Sequence, residues 1–102
     1  MTQPPPLERL DPLLEHRVRL AVCVLLSRTE EIRFSRFKEL LKQTDGNLGA
    51  QLRRLEDAGY IDLRREFDDR RPATWYRLTP AGRKALKRHL GSLEAIIGAA
   101  EP

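Results

Sequence analysis

The spacing of apolar residues changes at Gly59, and this change limits the folds open to the chain. Before it, leucines recur at the three- and four-residue spacing of one helix face: Leu48, Leu52 and Leu55. After it, residues 60–67 and 74–78 are rich in aromatic and β-branched residues, which is typical of strands. The polar segment 68–73 separates them. The pattern predicts a helix that stops at Gly59 and leads into a β-hairpin with 68–73 as its tip.

A first helix is predicted from a start signal and a long apolar face. Asp11 can cap free backbone amides and Pro12 suits the first helical position. The helical spacing then continues to Ser27 or Arg28, which predicts one long amphipathic helix. Residues 1–10 are expected to form a flexible N-terminal arm, because three consecutive prolines there oppose a helix.

Two shorter helices joined by a turn are predicted before the hairpin. Ser35 is expected to cap the first of them, and Asn47 the second, which spans 47–58. The segment 44–47 is rich in turn-forming residues. A short extended piece, 32–34, precedes the pair and is expected to complete a three-stranded sheet.

A last helix is predicted over residues 80–102, because Thr79 and Pro80 repeat the cap-plus-proline signal. Four apolar residues along it form a two-heptad seam: Leu86, Leu90, Leu93 and Ile97. A fold of 102 residues has little core to offer the end of this helix, so we expect the seam to pack on a second copy of the chain. Leu13 and Leu14 of the first helix are predicted to join that dimer interface.

The elements together predict an α+β, mostly helical fold with a three-helix core, a β-hairpin wing and a long C-terminal helix. Residues 11–79 are assigned to one winged-helix DNA-binding domain, and 80–102 to a dimerisation element of the same domain. A helix pair that runs into a hairpin with arginines at its tip is a candidate winged helix-turn-helix.

Over roughly Leu13–Ile97 the sequence resembles the winged-helix family of bacterial regulators, of the compact MarR-like kind. "TDGNLGAQLRRLEDAGYI" is similar to the family's turn and recognition helix, and "TWYRLTPAGRKAL" to its second wing strand and C-terminal helix. The resemblance implies a homodimeric transcriptional regulator that binds double-stranded DNA sequence-specifically. Its third helix would enter the major groove, and its wing would touch the backbone or the minor groove.

Candidate DNA contacts on the third helix lie off its apolar face: Asn47, Ala50, Gln51, Arg53 and Arg54. Gln51 can pair with adenine through two hydrogen bonds, and Arg54 with guanine or a phosphate. Ala50 can touch a thymine methyl group. The early recognition-helix positions, often Ser or His in relatives, are here Gly49, Ala50 and Gln51; Gly and Ala have no side-chain hydrogen bond to offer, so the set of base-reading side chains is reduced.

Four further basic residues are predicted to contact DNA outside the third helix. Arg70 and Arg71 at the wing tip are expected to meet phosphates or a narrow minor groove. Arg36 and Lys38, near the start of the second helix, are expected to meet phosphates. The alternative for all these residues is a solvated surface with local ion pairs, which contribute little to stability.

The sequence is also compatible with two other functions. The first is a protein-interaction module without sequence-specific DNA binding, which the acidic stretch 56–69 and the residues Gly49 and Ala50 favour. The second is a sensor of an unidentified small-molecule effector, which is compatible with DNA binding.

The sequence gives little support for an enzyme, a metal site or a cofactor. It has no C-x-x-C pair, Gly-rich phosphate loop or nucleophile elbow. His16 and Cys23 are about 10 Å apart on a helix, too far to share a metal ion. A net charge of +4 permits nucleic-acid binding without proving it.

The cellular location is predicted from three features. The single cysteine, Cys23, fits a reducing cytoplasm and is interpreted as a small buried residue, with a redox-sensing thiol as the alternative. The longest apolar run, Ala21–Leu26, is too short to span a bilayer. Residues 1–10 lack an apolar signal-peptide core, so a cytoplasmic protein is expected.

Overall fold

The computed structural model describes residues 7–99, apart from the side chain of residue 68. Two 3-10 turns come first, Leu7–Arg9 and Pro12–Leu14. The helices are α1 (Arg17–Leu26), α2 (Phe34–Leu41), α3 (Asp45–Asp57) and α4 (Pro80–Ala99). The strands are β1 (Ile32–Arg33), β2 (Ile61–Asp68) and β3 (Arg71–Leu78). The predicted winged-helix fold, α+β and mostly helical, is confirmed.

The three strands form one antiparallel sheet in the order β1-β3-β2. Ile32 of β1 pairs with Tyr76, and Ile61 of β2 pairs with Leu78. The extended piece before α2 therefore completes the sheet, as the sequence predicts. Because β1 pairs only with residues 75 and 76, the outer half of the hairpin projects as a two-stranded wing.

The core lies between the helices and the inner face of this sheet. Leu48, Leu52 and Leu55 of α3 are at most 1% exposed. Phe37 of α2 is fully buried and meets the ring of Tyr76 edge-on, with ring centroids 6.2 Å apart. These contacts remove three large aliphatic side chains and a phenyl ring from water, which stabilises the fold and fixes one face of α3 inward.

The predicted single helix from Asp11 is wrong, because the chain is interrupted before α1. Asp11 caps only the turn Pro12–Leu14, where its Oδ1 accepts a hydrogen bond from the amide of Leu13 at 3.0 Å. His16 has extended backbone angles, and its Nδ1 accepts from the amide of Val18 at 3.2 Å. A histidine side chain therefore caps α1, and the helical spacing of the leucines hides this break.

The predicted turn and caps around α2 and α3 are also corrected. Ser35 does not cap α2, which begins at Phe34 without a side-chain cap. The turn is centred on Lys42, whose φ of 52° is left-handed, and Thr44 caps α3 by accepting from the amide of Asn47. Asn47 is thus an exposed residue of the first helical turn, which leaves its side chain free of a capping role.

The wing tip is shorter than predicted. Residue 68 pairs with Arg71 and Phe67 with Pro72, so most of the polar segment 68–73 is strand. Only Asp69 and Arg70 form the loop, with φ values of 47° and 67°. Positive φ at both loop residues matches the twist of the flanking strands. Pro72 is tolerated because β3 has no β1 neighbour at that position.

The signals on either side of the hairpin are confirmed. Gly59 ends the third helix with a φ of 79°. Thr79 begins α4, where its Oγ1 accepts from the amide of Gly82 at 3.0 Å and donates to the carbonyl of Gly59 at 2.6 Å. The C-terminal end of α3 and the start of α4 are therefore tied to each other across the base of the wing.

The segment before α1 is held against α4. The amide of Asp11 donates to Nδ1 of the buried His89 at 3.0 Å, and the hydroxyl of Tyr60 donates to Asp11 Oδ2 at 2.5 Å. Ser92 Oγ donates to the carbonyl of Arg9 at 3.2 Å. Residues 7–9 of the predicted arm thus contact α4, whereas residues 1–6 and 100–102 lie outside the described residues. Within 7–99, no helix is long and apolar enough to cross a bilayer.

Candidate nucleic-acid interface

The outer face of α3 is defined by its buried leucines. Because an α-helix turns about 100° per residue, the direction opposite those leucines carries Gly46, Ala50, Arg53 and Asp57. The flank towards α1 carries Asn47, Gln51 and Arg54 in successive turns. Asn47, Ala50, Arg53 and Arg54 are exposed, whereas Gln51 is half-buried.

The other flank of α3 faces the wing across an open groove of about 330 Å³. The groove is lined from α3 by Gly49, Arg53, Glu56 and Asp57, and from β2 by Leu63 and Arg65. Arg65, which was not predicted as a DNA contact, therefore presents its charge beside the outer face of α3. In the sequence, Arg65 is distinguished only as a charged residue that interrupts the apolar alternation of β2.

Phe67 continues this face of the wing towards its tip. Residues two apart in a strand share a face, so Phe67 lies on the same side as Arg65. Its side chain is 79% exposed and lies opposite Pro72. The wing thus presents an aromatic ring between Arg65 and the tip arginines Arg70 and Arg71, both of which are exposed.

Gln51 does not have the free amide that was predicted for an adenine contact. Its Oε1 accepts a hydrogen bond from Nη1 of Arg19 at 2.6 Å, and its Nε2 donates to Asn47 Oδ1 at 3.4 Å. Arg19, on α1, is only 8% exposed, and burial followed by the charge of Arg54 lowers its pKa. Sequence analysis missed Arg19, because no local pattern reveals that α1 and α3 bring these two residues together.

The predicted contacts on α2 form ion pairs at the surface. Arg36 Nη1 lies 3.0 Å from Glu39 Oε2, and Lys38 Nζ lies 2.7 Å from Asp45 Oδ1 at the start of α3. All four side chains are about half exposed or more, so each pair contributes little to stability and opens at small cost.

The arginines of α3 differ from those of α2. Arg53 and Arg54 are exposed, and neither forms an ion pair with another of the residues described. Their guanidinium groups can therefore bind an anion without breaking an intramolecular ion pair.

The predicted dimer interface divides into core and surface residues. Leu14 and Leu86 are at most 4% exposed in the single chain, so they are corrected to core residues: their side chains pack inside their own domain. Leu13 and Leu93 are half-buried. Leu90 and Ile97 are 38% and 65% exposed, which leaves an apolar strip along the second half of α4.

Cys23 and His16 do not form a reactive site. Burial raises the pKa of the fully buried Cys23 thiol to about 12, so the redox-sensor alternative lacks both the exposure and the lowered pKa that it requires. The Nδ1 atom of His16 is used as the cap of α1. Within residues 7–99, no three His, Cys, Asp or Glu side chains are placed to hold a metal ion.

Comparison with known proteins agrees with this geometry. Residues 18–97 match the winged helix DNA-binding domain family. The uncharacterized protein MJ0432 of Methanocaldococcus jannaschii is 34% identical over 73 residues, which cover 72% of this chain and 79% of that protein. A transcriptional regulator homologue from Pyrococcus horikoshii superposes with a TM-score of 0.81 at 32% identity, over 88% of this chain and 89% of that one.

A third similar structure contains DNA. The MarR family regulator Sco3205 from Streptomyces coelicolor, solved in complex with DNA, has a TM-score of 0.65 at 26% identity. The match covers 91% of this chain and 63% of that one. The chain belongs to the winged helix DNA-binding domain family, which is a family of transcriptional regulators and not of enzymes.

Proposed function

We propose that the chain acts as a homodimeric transcriptional regulator that recognises a specific sequence in double-stranded DNA. In this proposal α3 enters the major groove, and the wing rests on the backbone or in the minor groove. The observation that carries it is the exposed surface of α3. Arg53 on its outer face and Arg54 on its flank towards α1 form no ion pair among residues 7–99, and Arg65 of the wing lines the groove beside Arg53. A cytoplasmic location, which the single cysteine supports, completes the proposal.

The charge along α3 favours one way of docking. Glu56 and Asp57 at its C-terminal end are exposed and acidic, and Arg53 and Arg54 lie just before them in the C-terminal half of the helix. Phosphates would be repelled from that end, so we infer that the N-terminal part of α3 goes deeper into the groove. In this arrangement Ala50 is assigned to a thymine methyl group, Arg54 in the last turn of α3 to a guanine edge, and Arg53 to a phosphate.

The wing and α2 supply the remaining contacts in the proposal. Arg70 and Arg71 are assigned to phosphates or a narrow minor groove, because the two-residue loop places them at the tip of the wing. Arg36 and Lys38 are assigned to phosphates, because DNA can compete with their exposed acidic partners at little cost.

The dimer is proposed from the apolar strip on α4. A helix of 20 residues is about 30 Å long, and its second half extends past the domain core with Leu90 and Ile97 exposed. Pairing these residues with Leu13 and Leu93 of a second copy would bury them, and it would present two recognition helices to half-sites about one turn of DNA apart.

The proposal is tested by selecting fragments of the source genome with the purified protein at physiological salt. The wild-type chain is expected to enrich a few sites that share an inverted repeat. Arg54→Ala should lose this enrichment while keeping general affinity, because a base contact carries about 1–3 kcal/mol of discrimination. Arg71→Ala is the matched control, since removal of a phosphate contact should weaken all fragments alike.

Two results would contradict this assignment. Equal, uniform recovery by wild type and Arg54→Ala would leave only charge-driven binding without base recognition. No binding to any duplex, together with a co-purifying protein, would favour the protein-interaction module instead.

The dimer is tested separately by Ile97→Glu. A carboxylate buried at the interface is expected to shift the protein from dimer to monomer at micromolar concentration, as measured by sedimentation equilibrium. Ala95→Glu introduces the same charge at another exposed position of α4, well away from the strip, and should leave the dimer intact. A monomeric wild type, or equal dissociation by both variants, would rule out this interface.

A further inference from the structure

A line of hydrogen-bonded side chains runs from the turn before α1 to the turn before α3. Arg19 Nε donates to the carbonyl of Leu13 at 2.6 Å, and its Nη1 donates to Gln51 Oε1 at 2.6 Å. Gln51 Nε2 donates to Asn47 Oδ1 at 3.4 Å, and Asn47 Nδ2 donates to Gln43 Oε1. Gln43 Nε2 ends the line by donating to the carbonyl of residue 41 at 3.0 Å.

Arg19 is an unusual residue to find in this position. Its side chain is buried, and among residues 7–99 it has no carboxylate partner, only neutral oxygen acceptors. Removing a guanidinium group from water is costly even when it is hydrogen-bonded, and an apolar residue of similar length would fill the space at lower cost. Stability alone therefore does not explain an arginine at this position.

Arg19 fixes the direction of every hydrogen bond between the side chains of this line. Arginine can only donate, whereas the amides of Gln51, Asn47 and Gln43 can each present either their oxygen or their nitrogen. Arg19 compels Gln51 to turn its oxygen towards α1, and this turns the Gln51 nitrogen towards Asn47. Asn47 must then face Gln51 with its oxygen and Gln43 with its nitrogen.

Asn47 is the member of this line that is best placed to meet DNA. It is exposed in the first turn of α3, whereas Gln51 is half-buried and its oxygen is held by a charged donor. After its two internal hydrogen bonds, Asn47 retains one oxygen lone pair and one N–H. These are the acceptor and the donor that asparagine uses to bind the N6 and N7 edge of adenine.

We propose that Arg19 is a positioning residue for base recognition, which fixes the amide orientation of Asn47 through Gln51, and that Asn47 rather than Gln51 contacts adenine. This inference rests on the proposed insertion of α3 into the major groove. Without Arg19 the amides can reverse together, so that Asn47 presents its donor and acceptor in exchanged places.

The first test needs no DNA. The side-chain amide signals of Asn47 in a nitrogen–proton NMR spectrum are expected to differ between wild-type protein and Arg19→Met. Hydrogen exchange of this amide should be faster in the variant. Arg17→Met removes an exposed arginine from the same helix and should leave these signals unchanged. If Arg19→Met also leaves them unchanged, the hydrogen-bonded line does not orient Asn47 and the proposal is wrong.

The second test is a double-mutant cycle on base discrimination. In the selected DNA site, Arg19→Met is expected to reduce the preference for adenine over other bases by roughly fivefold to 150-fold at one position per half-site. In an Asn47→Ala background, Arg19→Met should cause no further loss, because its effect passes through Asn47. A merely structural role would instead lower affinity for all sequences in both backgrounds.

A second variant keeps the test valid if Arg19→Met fails to fold. Gln51→Glu preserves an acceptor for Arg19, but its carboxylate cannot donate to Asn47. It should therefore keep the fold, as measured by thermal unfolding, and still lose discrimination at the same base pair. Retained discrimination in this variant would overturn the proposal. Wild-type protein without any sequence preference would overturn the proposed function instead, while the NMR result would still report on the hydrogen-bonded line.

Discussion

Gly82→Ala is expected to lower the free energy of unfolding by about 3 kcal/mol, because this glycine lies against the backbone where α3 gives way to the wing. A Cβ atom at Gly82 would lie 2.1 Å from the carbonyl oxygen of Tyr60 and 2.8 Å from Leu78 Cδ1. The backbone cannot easily retreat, since the Tyr60 carbonyl accepts from the amide of Thr79 at 3.0 Å. Chemical denaturation followed by circular dichroism would measure the change.

Gly91→Ala is the matched control for this substitution. Gly91 is also in α4, but a Cβ atom there would meet nothing within 4 Å. Alanine should therefore raise the free energy of unfolding by about 0.5–1 kcal/mol through its higher helix propensity. Equal effects of the two substitutions would contradict the close approach of α4 to Tyr60, which fixes the wing relative to α3.

Much of the fold could be predicted because its signals are local. Gly59 adopts the left-handed conformation expected of a helix stop, and Thr79 with Pro80 begins α4 as expected. The change in apolar spacing between these points correctly separates helix from hairpin. Each of these features depends on a few neighbouring residues, so a single sequence is enough to reveal it.

The errors in the predicted fold arise where tertiary contacts decide. Lys42 takes a left-handed conformation that its residue type does not predict, and this places the turn upstream of the predicted segment 44–47. The wing tip contracts to Asp69 and Arg70 because pairing with β2 extends the second strand. A charged side chain in a polar segment gives no sign of such pairing.

The same division between local patterns and tertiary contacts applies to the candidate site. The exposure of Arg53 and Arg54 follows from the helical spacing of the leucines opposite them. The burial of Arg19 and its contact with Gln51 join residues 32 positions apart, and no spacing rule connects them. Leu86 also fits the predicted apolar seam of α4. It is nevertheless buried in the core of its own domain, because the first turns of α4 cover α1 and the sheet.

The affinity for DNA is expected to fall by a thousandfold to a hundred-thousandfold between 50 and 200 mM salt. This range applies to about six to ten phosphate contacts per dimer, and about three to five basic residues per protomer would make them. The assigned residues are Arg36, Lys38, Arg53 and Arg71, with Arg70 beside them. Fluorescence anisotropy with a short duplex, repeated over a series of salt concentrations, would measure the slope of log affinity against log salt.

A single wing arginine should have a calculable share of that slope. Arg71→Ala removes one phosphate contact from each protomer, so the slope should become less steep by about 1.8, since each contact contributes about 0.9. Arg77→Ala removes the same charge from the outer face of the sheet, where Arg77 lies 3.8 Å from Asp62, and should leave the slope unchanged. If both variants flatten the slope equally, the positive charge of the whole domain attracts DNA and the wing makes no particular contact. If only Arg71→Ala does so while the preference among sequences persists, the wing binds the backbone and α3 alone reads the bases.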